Sequence, residues 1–382
     1  VVADGMGAHA AGELASQMAT EKIAMHYFRS SGSDAVEALR AAVTEANSEI
    51  HQRGQSNPEF HNMGTTASSL VILPVGAVVA HVGDSRVYRL RKGILEQLTF
   101  DHSLVWEMEA SGHTDGGVWG QSIPKNVITR SLGPNASVEI DVEGPFPVQA
   151  GDKFLLCSDG LTGLVDDTEI GTLMDCLPAD LATRVLVDLA NLRGGPDNTT
   201  VVIVCIKEPA VGSPSKPARP RRSGEMGSVV SPVLIGTTLF CLAVSAFLGV
   251  LQAWGPMVVA IILTLIAAIV SLVQFLRARD LESHTATASG GKGPYRRYDA
   301  TPSAELYDRL GETVQTLKDA ASENNWMMDW KKVGKLQSRG RQALKSKDHK
   351  GAIRYQSEAI IETMNQLREQ NNRAANETAI DH

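Results

Sequence analysis

Cysteine is scarce: four in 382 residues, at positions 157, 176, 205 and 241, with no Cys-x-x-Cys spacing. That suggests neither a disulfide framework nor a zinc knuckle and fits a reducing compartment. Basic residues are short in the first half, where residues 1–208 carry 14 Lys and Arg against 27 Asp and Glu. Phosphate contacts need Lys and Arg, so no nucleic-acid partner is expected, and an acidic body of this kind is suited to holding cations. The chain also opens on Val1 with no Met, charged leader or cleavage site. Val1-Val2-Ala3 reads as the end of a strand running into Asp4-Gly5, so upstream residues are expected to be missing.

The longest absence is of charge. Between Met226 and Leu276 no Asp, Glu, Lys or Arg occurs, a run about twice the roughly 20 residues that one helix needs to cross a bilayer. It divides at Gln252-Ala253-Trp254-Gly255-Pro256, which predicts two spans near 229–251 and 256–276 within a membrane segment 229–276. Lys216, Arg219, Arg221 and Arg222 precede the first span and Arg277 and Arg279 follow the second. By the positive-inside rule both flanks face the cytoplasm, which makes the segment a hairpin anchor in a cytoplasmic membrane with lipid as a partner. The alternative is a buried apolar helix pair in a soluble protein.

Composition is otherwise that of a globular protein, 43% hydrophobic and 21% charged, which argues against wholesale disorder. Segments 70–73, 77–82, 86–90, 153–157 and 200–206 read as strands, the first three as an antiparallel meander. Asp34 and Glu37 suggest a helix start, with Val36, Leu39, Val43, Ala46 and Ile50 on one face. Helices come in blocks instead of alternating with every strand, so the front half is expected to be an α+β layered domain over 1–207.

A linker follows at 208–228, and after the membrane segment another at 277–300. A helical tail is predicted over 301–372 and a disordered end over 373–382. Its apolar stripes are Leu306, Leu310, Val314 and Leu317; Val333, Leu336 and Ala343; and Ile353, Ile360, Met364 and Leu367. These helices should pack on each other or on a partner. Gly340, Ala352 and Ala359 have the spacing of one tetratricopeptide-like unit, with a plain helical bundle or coiled-coil tail as the alternative.

Asp4-Gly5, Asp159-Gly160 and Asp197-Asn198 stand at the ends of apolar strands. A carboxylate projecting from a rigid strand beside a small residue suits a hard divalent cation, and three from distant positions could serve two ions. Any one of them alone reads first as an ordinary turn. The blocks Ala3-Asp4-Gly5-Met6-Gly7, Gly64-Thr65-Thr66, Gly83-Asp84-Ser85-Arg86, Leu98-Thr99-Phe100-Asp101-His102-Ser103, Cys157-Ser158-Asp159-Gly160-Leu161 and Gly194-Gly195-Pro196-Asp197-Asn198-Thr199 occur in this order.

This succession resembles the metal-dependent Ser/Thr protein phosphatases of the type 2C family, in their bacterial form. The resemblance implies a four-layer α-β-β-α sandwich of two antiparallel sheets, here followed by the transmembrane hairpin and the all-α tail. It implies Mn2+ or Mg2+ as cofactor, two ions with a place for a third. Asp4 would bridge the pair, the Gly5 carbonyl would bind one ion, Asp159 and Asp197 the other, and Asp101 with Asp159 a third. Phosphate monoester hydrolysis by activated water is then expected, with phosphorylated Ser/Thr proteins as substrates and Ser/Thr protein kinases as partners.

His9 matches a His suited to protonating the leaving oxygen, or else is structural. Asp84, Ser85 and Arg86 are expected to brace the metal end, and 112–133 to form a flap. The family's second Gly after Met-Gly is Ala8 here, and its first motif, with an Arg for the phosphate, would lie before Val1. If Val1 is the true start, the resemblance allows instead a catalytically impaired sensor or scaffold. A phosphatase dedicated to an anti-sigma antagonist is a further alternative.

Overall fold

Successive side chains of a strand point to opposite faces, and here both faces of the central strands are apolar, which lets each sheet pack on two sides. The structure, a computed structural model, describes residues 1–6, 9–30, 34–110, 127–208, 293–324, 326 and 328–380, with side chains excepted at 9 and 371–380. The strands are β1 Gly5–Met6, β2 Gly64–Thr65, β3 Ala67–Leu73, β4 Gly76–Val82, β5 Arg86–Arg91, β6 Ile94–Gln97, β7 Asp141–Phe146, β8 Lys153–Cys157, β9 Val201–Cys205 and β10 Arg296–Asp299. They form a short β1-β2 pair and two sheets, ordered β3-β4-β7 and β10-β6-β5-β8-β9, antiparallel throughout. Val2 bridges to Ser68, so the segment before Asp4 does run beside β3 as a strand end.

The meander expected over 70–90 is half right. β3 and β4 pair through all seven residues, but β5 leaves for the other sheet, where it lies between β6 and β8. The link Gly83-Asp84-Ser85 starts from a left-handed residue, Gly83, with φ +109°, and carries the chain across instead of folding it back.

Ala77, Val79, Val87, Phe146, Phe154 and Leu156 point between the sheets and form one core. Their neighbours face outward. Val78, Ala80 and Val82 pack under helices α1 His9–Arg29 and α2 Ala35–Ser56. Asp34 caps α2 by accepting from the Val36 amide at 2.8 Å, and Leu39, Val43, Ala46 and Ile50 are its buried face. On the opposite side Tyr88, Leu90, Leu155 and Cys157 pack under α5 Asp167–Cys176 and α6 Ala179–Leu192. Two short helices, α3 Leu104–Ala110 and α4 Asp159–Thr162, lie at strand ends. The expected α-β-β-α order of layers is thus present.

The tail departs from expectation in three ways. The stretch read as a linker to residue 300 contains β10, which pairs with β6 from Arg296↔Gln97 to Asp299↔Ile94. The end read as disordered over 373–382 is helical to Ile380, since Ala, Glu and Arg there sustain a helix and no Gly or Pro interrupts it. Finally, the helices α7 Ala304–Glu323, α8 Trp330–Lys345 and α9 His349–Ile380 are not an independent bundle. Leu306, Leu310, Val314, Val333, Ile353 and Ile360 share one core with α5, α6 and the sheet face beneath them.

Ion pairs from the tail fasten this surface: Lys350 to Asp175 at 2.6 Å, Arg309 to Asp166 at 3.4 Å and Arg368 to the buried Asp188. α8 and α9 run as an antiparallel hairpin, with Gly340 near the Ala352 carbonyl and against Tyr307 of α7. The described residues belong to one compact unit, Val1–Val211 with Lys292–His382. Among them no helix is long and apolar enough to cross a membrane; the spans expected at 229–251 and 256–276 lie outside the described residues.

Candidate active site

Antiparallel pairing of β8 with β9 puts Cys157 opposite Val201, so the turn after β8 and the turn before β9 must meet at one end of the sheet. These turns carry Asp159 and Asp197. The Ser158 hydroxyl donates to the Asn198 carbonyl at 3.2 Å and accepts from the Thr200 amide at 3.0 Å, which ties one turn to the other. Asp4 arrives from the chain's start and is held by its backbone. Its amide donates to Thr66 Oγ1 at 2.9 Å, while its carbonyl accepts from the Thr66 amide at 2.8 Å and from Thr65 Oγ1 at 2.9 Å. Oxygen atoms of Asp4, Asp159 and Asp197 then lie within 4.8 Å of one another.

The glycines after the first two aspartates are needed by this convergence. A Cβ on Gly160 would stand 2.4 Å from the Asn198 carbonyl oxygen, and one on Gly5 would stand 2.0 Å from that of Gly12. Both meet backbone, which cannot swing aside. Gly160→Ala is expected to push the two turns apart, costing about 1–3 kcal/mol of stability and more than tenfold in turnover; urea unfolding and steady-state assay check the two parts.

The site is short of positive charge. Asp4, Asp159 and Asp197 form no ion pair among the described residues. Burial, then the Asp159 charge and a hydrogen bond to it, then Asp197 and Asp84, push the Asp4 carboxyl up to about 7. Asp84, 9% exposed, is also pushed up to about 7, by burial and then by Asp159 and Asp101. Clustered hard oxygens with unbalanced charge fit a divalent cation of the Mg2+ or Mn2+ kind.

A pH dependence follows. Between about pH 4 and 7 the folded state keeps protons on Asp4 and Asp84 that the unfolded chain has released, so stability falls as pH rises through that window. In chelator the melting temperature should drop from pH 5 to pH 7.5, and Mn2+ should restore more of it at pH 7.5 than at pH 5. Equal metal effects at both pH values would contradict this.

The other expected site residues are placed less simply. Gly5 is exposed and pairs with Thr65 on β2. Asp101 is not gathered with the three carboxylates. It is 3% exposed, receives Arg86 Nε at 2.8 Å and Nη2 at 2.7 Å, and accepts from Gln97 at 2.9 Å. Arg86 in turn reaches the Tyr88 hydroxyl at 2.9 Å, so its guanidinium is committed to bracing. Ser85 also braces, through Thr66 at 2.7 Å and Ser68. The side chain of His9 and most of the expected flap, residues 111–126, lie outside the described residues.

Sequence reasoning missed two features. Asp84, assigned only to bracing, adds its charge to the cluster; an acid immediately before a strand was the available signal. Trp106 of α3 lines a cleft of about 290 Å3 together with Asp84, Arg86, Asp101 and Asp159. Arg296 of β10 sits 3.8 Å above the Trp106 ring and bonds Glu109 at 2.5 Å. No motif announces that a residue from the tail will seat a wall of this cleft.

The sequence matches known proteins. The family model described as protein phosphatase 2C matches residues 1–182. The serine/threonine phosphatase stp of Listeria monocytogenes is 37% identical over 210 residues, covering 53% of this chain and 82% of the relative. Protein phosphatase PhpP of Streptococcus pneumoniae is 37% identical over 213 residues, 54% of this chain and 85% of the relative. Among solved structures, the Mycobacterium tuberculosis serine/threonine phosphatase PstP aligns at 35% identity and a TM-score of 0.49, over 54% of this chain and 87% of that one. A PstP catalytic domain in complex with two manganese ions aligns at 35% identity and 0.46, over 53% and 84%.

Proposed function

Since this chain belongs to the protein phosphatase 2C family, we infer that it is a metal-dependent serine/threonine protein phosphatase. The observation that carries the reading is the meeting of Asp4, Asp159 and Asp197. Asp4, the Gly5 carbonyl, Asp159 and Asp197 would hold two Mn2+ or Mg2+ ions. Cations there supply Lewis acidity that activates a water and neutralises phosphate charge.

The chain's own part is to fix the donors. Thr65 and Thr66 clamp Asp4, Ser158 locks the Asp159 turn to the Asp197 turn, and Arg86 holds Asp101 at the cleft wall. A third ion at Asp101 and Asp159 would require Arg86 to release an Asp101 oxygen. In the reaction a water oxygen bonds to phosphorus, the ester P–O bond breaks, and the serine or threonine oxygen leaves with a proton. His9 is the candidate donor of that proton, with a structural role as the alternative. Cys157 is buried, and burial pushes its thiol up to about 12, so it is not a nucleophile.

The test is hydrolysis of a phosphothreonine peptide by the full chain in detergent. Turnover should require Mn2+ or Mg2+ and stop with chelator. Absence of turnover with every divalent ion would favour the sensor or scaffold reading.

The anchor belongs to the same proposal. The charge-free run lies between two parts of one compact unit. A segment that enters a bilayer from such a body must return on the same side, which two spans do and one does not. With basic residues on both flanks, this supports a hairpin with the catalytic body and tail in the cytoplasm, close to membrane-bound kinases and their substrates. Reporter fusions at residue 208 and after residue 380 should both report cytoplasm; opposite sides would reject the hairpin.

A further inference from the structure

One helix face has no counterpart in the phosphatase reading. Helix α8 carries Lys331, Lys332, Lys335, Arg339, Arg341 and Lys345 and no acidic residue. At 100° per residue these fall on the side opposite Val333 and Gly340, the buried positions of the helix, and all six are exposed. Lys332 pairs with Glu362 at 2.8 Å. Among the described residues Lys331, Lys335, Arg339, Arg341 and Lys345 form no ion pair. Trp330 begins the helix and, with Trp326, Ala321 and Ser322, borders a small open cavity.

Exposed cations facing away from their own core gain nothing for folding; they gain when an anionic surface takes up the charge. We propose that this face of α8 docks on an anionic lipid bilayer. Two observations select lipid over other polyanions for these exposed cations, the apolar side of α8 and Trp330 being packed on the body's own core. The sequence places a long charge-free run between the two parts of the body. The front half, rich in Asp and Glu, would be repelled by the same membrane, so charge complementarity turns α8 toward the lipid and the acidic body away from it. The inference rests on the membrane reading for proximity but is tested separately from it.

The full chain is reconstituted into vesicles of phosphatidylcholine alone or with 30% phosphatidylglycerol, and lysines are acetylated and counted by mass spectrometry. Lys331, Lys335 and Lys345 should react at least fivefold more slowly on the anionic vesicles, while the exposed controls Lys92 and Lys318 do not change. The protection should vanish in 0.5 M salt, because charges at a wet interface are screened within a few ångströms. The double variant Arg339→Glu, Arg341→Glu should lose it while keeping turnover of a soluble aryl phosphate. Equal acetylation on both membranes overturns the inference, as does protection by a 20-base-pair DNA duplex or an acidic peptide without protection by phosphatidylglycerol. Flotation with the neutral vesicles reports the hairpin independently: a protein that floats but shows no anionic protection retains the anchor and loses the docking face.

Discussion

Asp159→Asn should lower turnover of a phosphothreonine peptide by at least about a thousandfold and, in chelator at pH 8, raise the melting temperature by about 2–4 °C. The two effects have one cause. The Asp159 charge is the leading electrostatic contribution to the raised carboxyls of Asp4 and Asp84, so its removal relieves repulsion in the metal-free fold. The same charge is one of the three carboxylates that could hold a cation, and on the proposed reading its removal leaves the site unable to gather positive charge. A residue that merely supported the turn would lower activity and stability together. Calorimetry with and without Mn2+ separates the cases: metal stabilisation should disappear in the variant. A variant that remains active, or melts lower in chelator, would count against the assignment.

The second large effect concerns the tail. A protein ending at residue 208 loses β10, which pairs along the whole of β6, and uncovers the faces of α5 and α6 that bury against Leu306, Leu310, Ile353 and Ile360. Each such side chain stabilises by about 1.5–3 kcal/mol when fully buried. Asp188, whose side chain is only 1% accessible in the intact protein, also loses Arg368. The melting temperature should fall by about 10 °C or more, with increased binding of an apolar dye. Arg296 leaves as well, so Trp106 loses its support at the cleft and KM for peptide should rise more than kcat falls. Residues 293–382 supplied as a second chain should restore both. A fragment 1–208 as stable and as active as the full chain would show the tail to be an ornament.

Much of the catalytic end was legible because its chemistry is written in short, ordered blocks. Asp4, Asp159 and Asp197 each end or precede an apolar run, and the adjoining small residues mark places where backbones touch. Strand identity came from short runs rich in Val, Ile and Leu and held for β8 and β9 within a residue. What could not be read was partnership. β5 has the look of a third meander strand, yet a three-residue link sends it to the other sheet. β10, with the sequence Arg-Arg-Tyr-Asp, lacks the apolar alternation of a buried strand because it lies at a sheet edge, where one flank stays solvated. The tail's stripes were visible, but a stripe states that a face will be covered and not by what. Motif matching placed Asp101 at this end but could not show its partners: its oxygens accept from Arg86 and Gln97.

The edge strand has a consequence for how the protein is made. Ribosomes deliver the chain from its first residue onward, and domains usually fold as they emerge. Here the five-stranded sheet is not finished until β10 appears, and β10 follows the entire charge-free stretch. During synthesis β6 therefore waits as an open edge, and Trp106 lacks Arg296 until more than three quarters of these 382 residues have been translated. A ribosome that stalls within the apolar run leaves a chain that carries Asp4, Asp159 and Asp197 but lacks its last strand, so the completed cleft also certifies that translation went past that run.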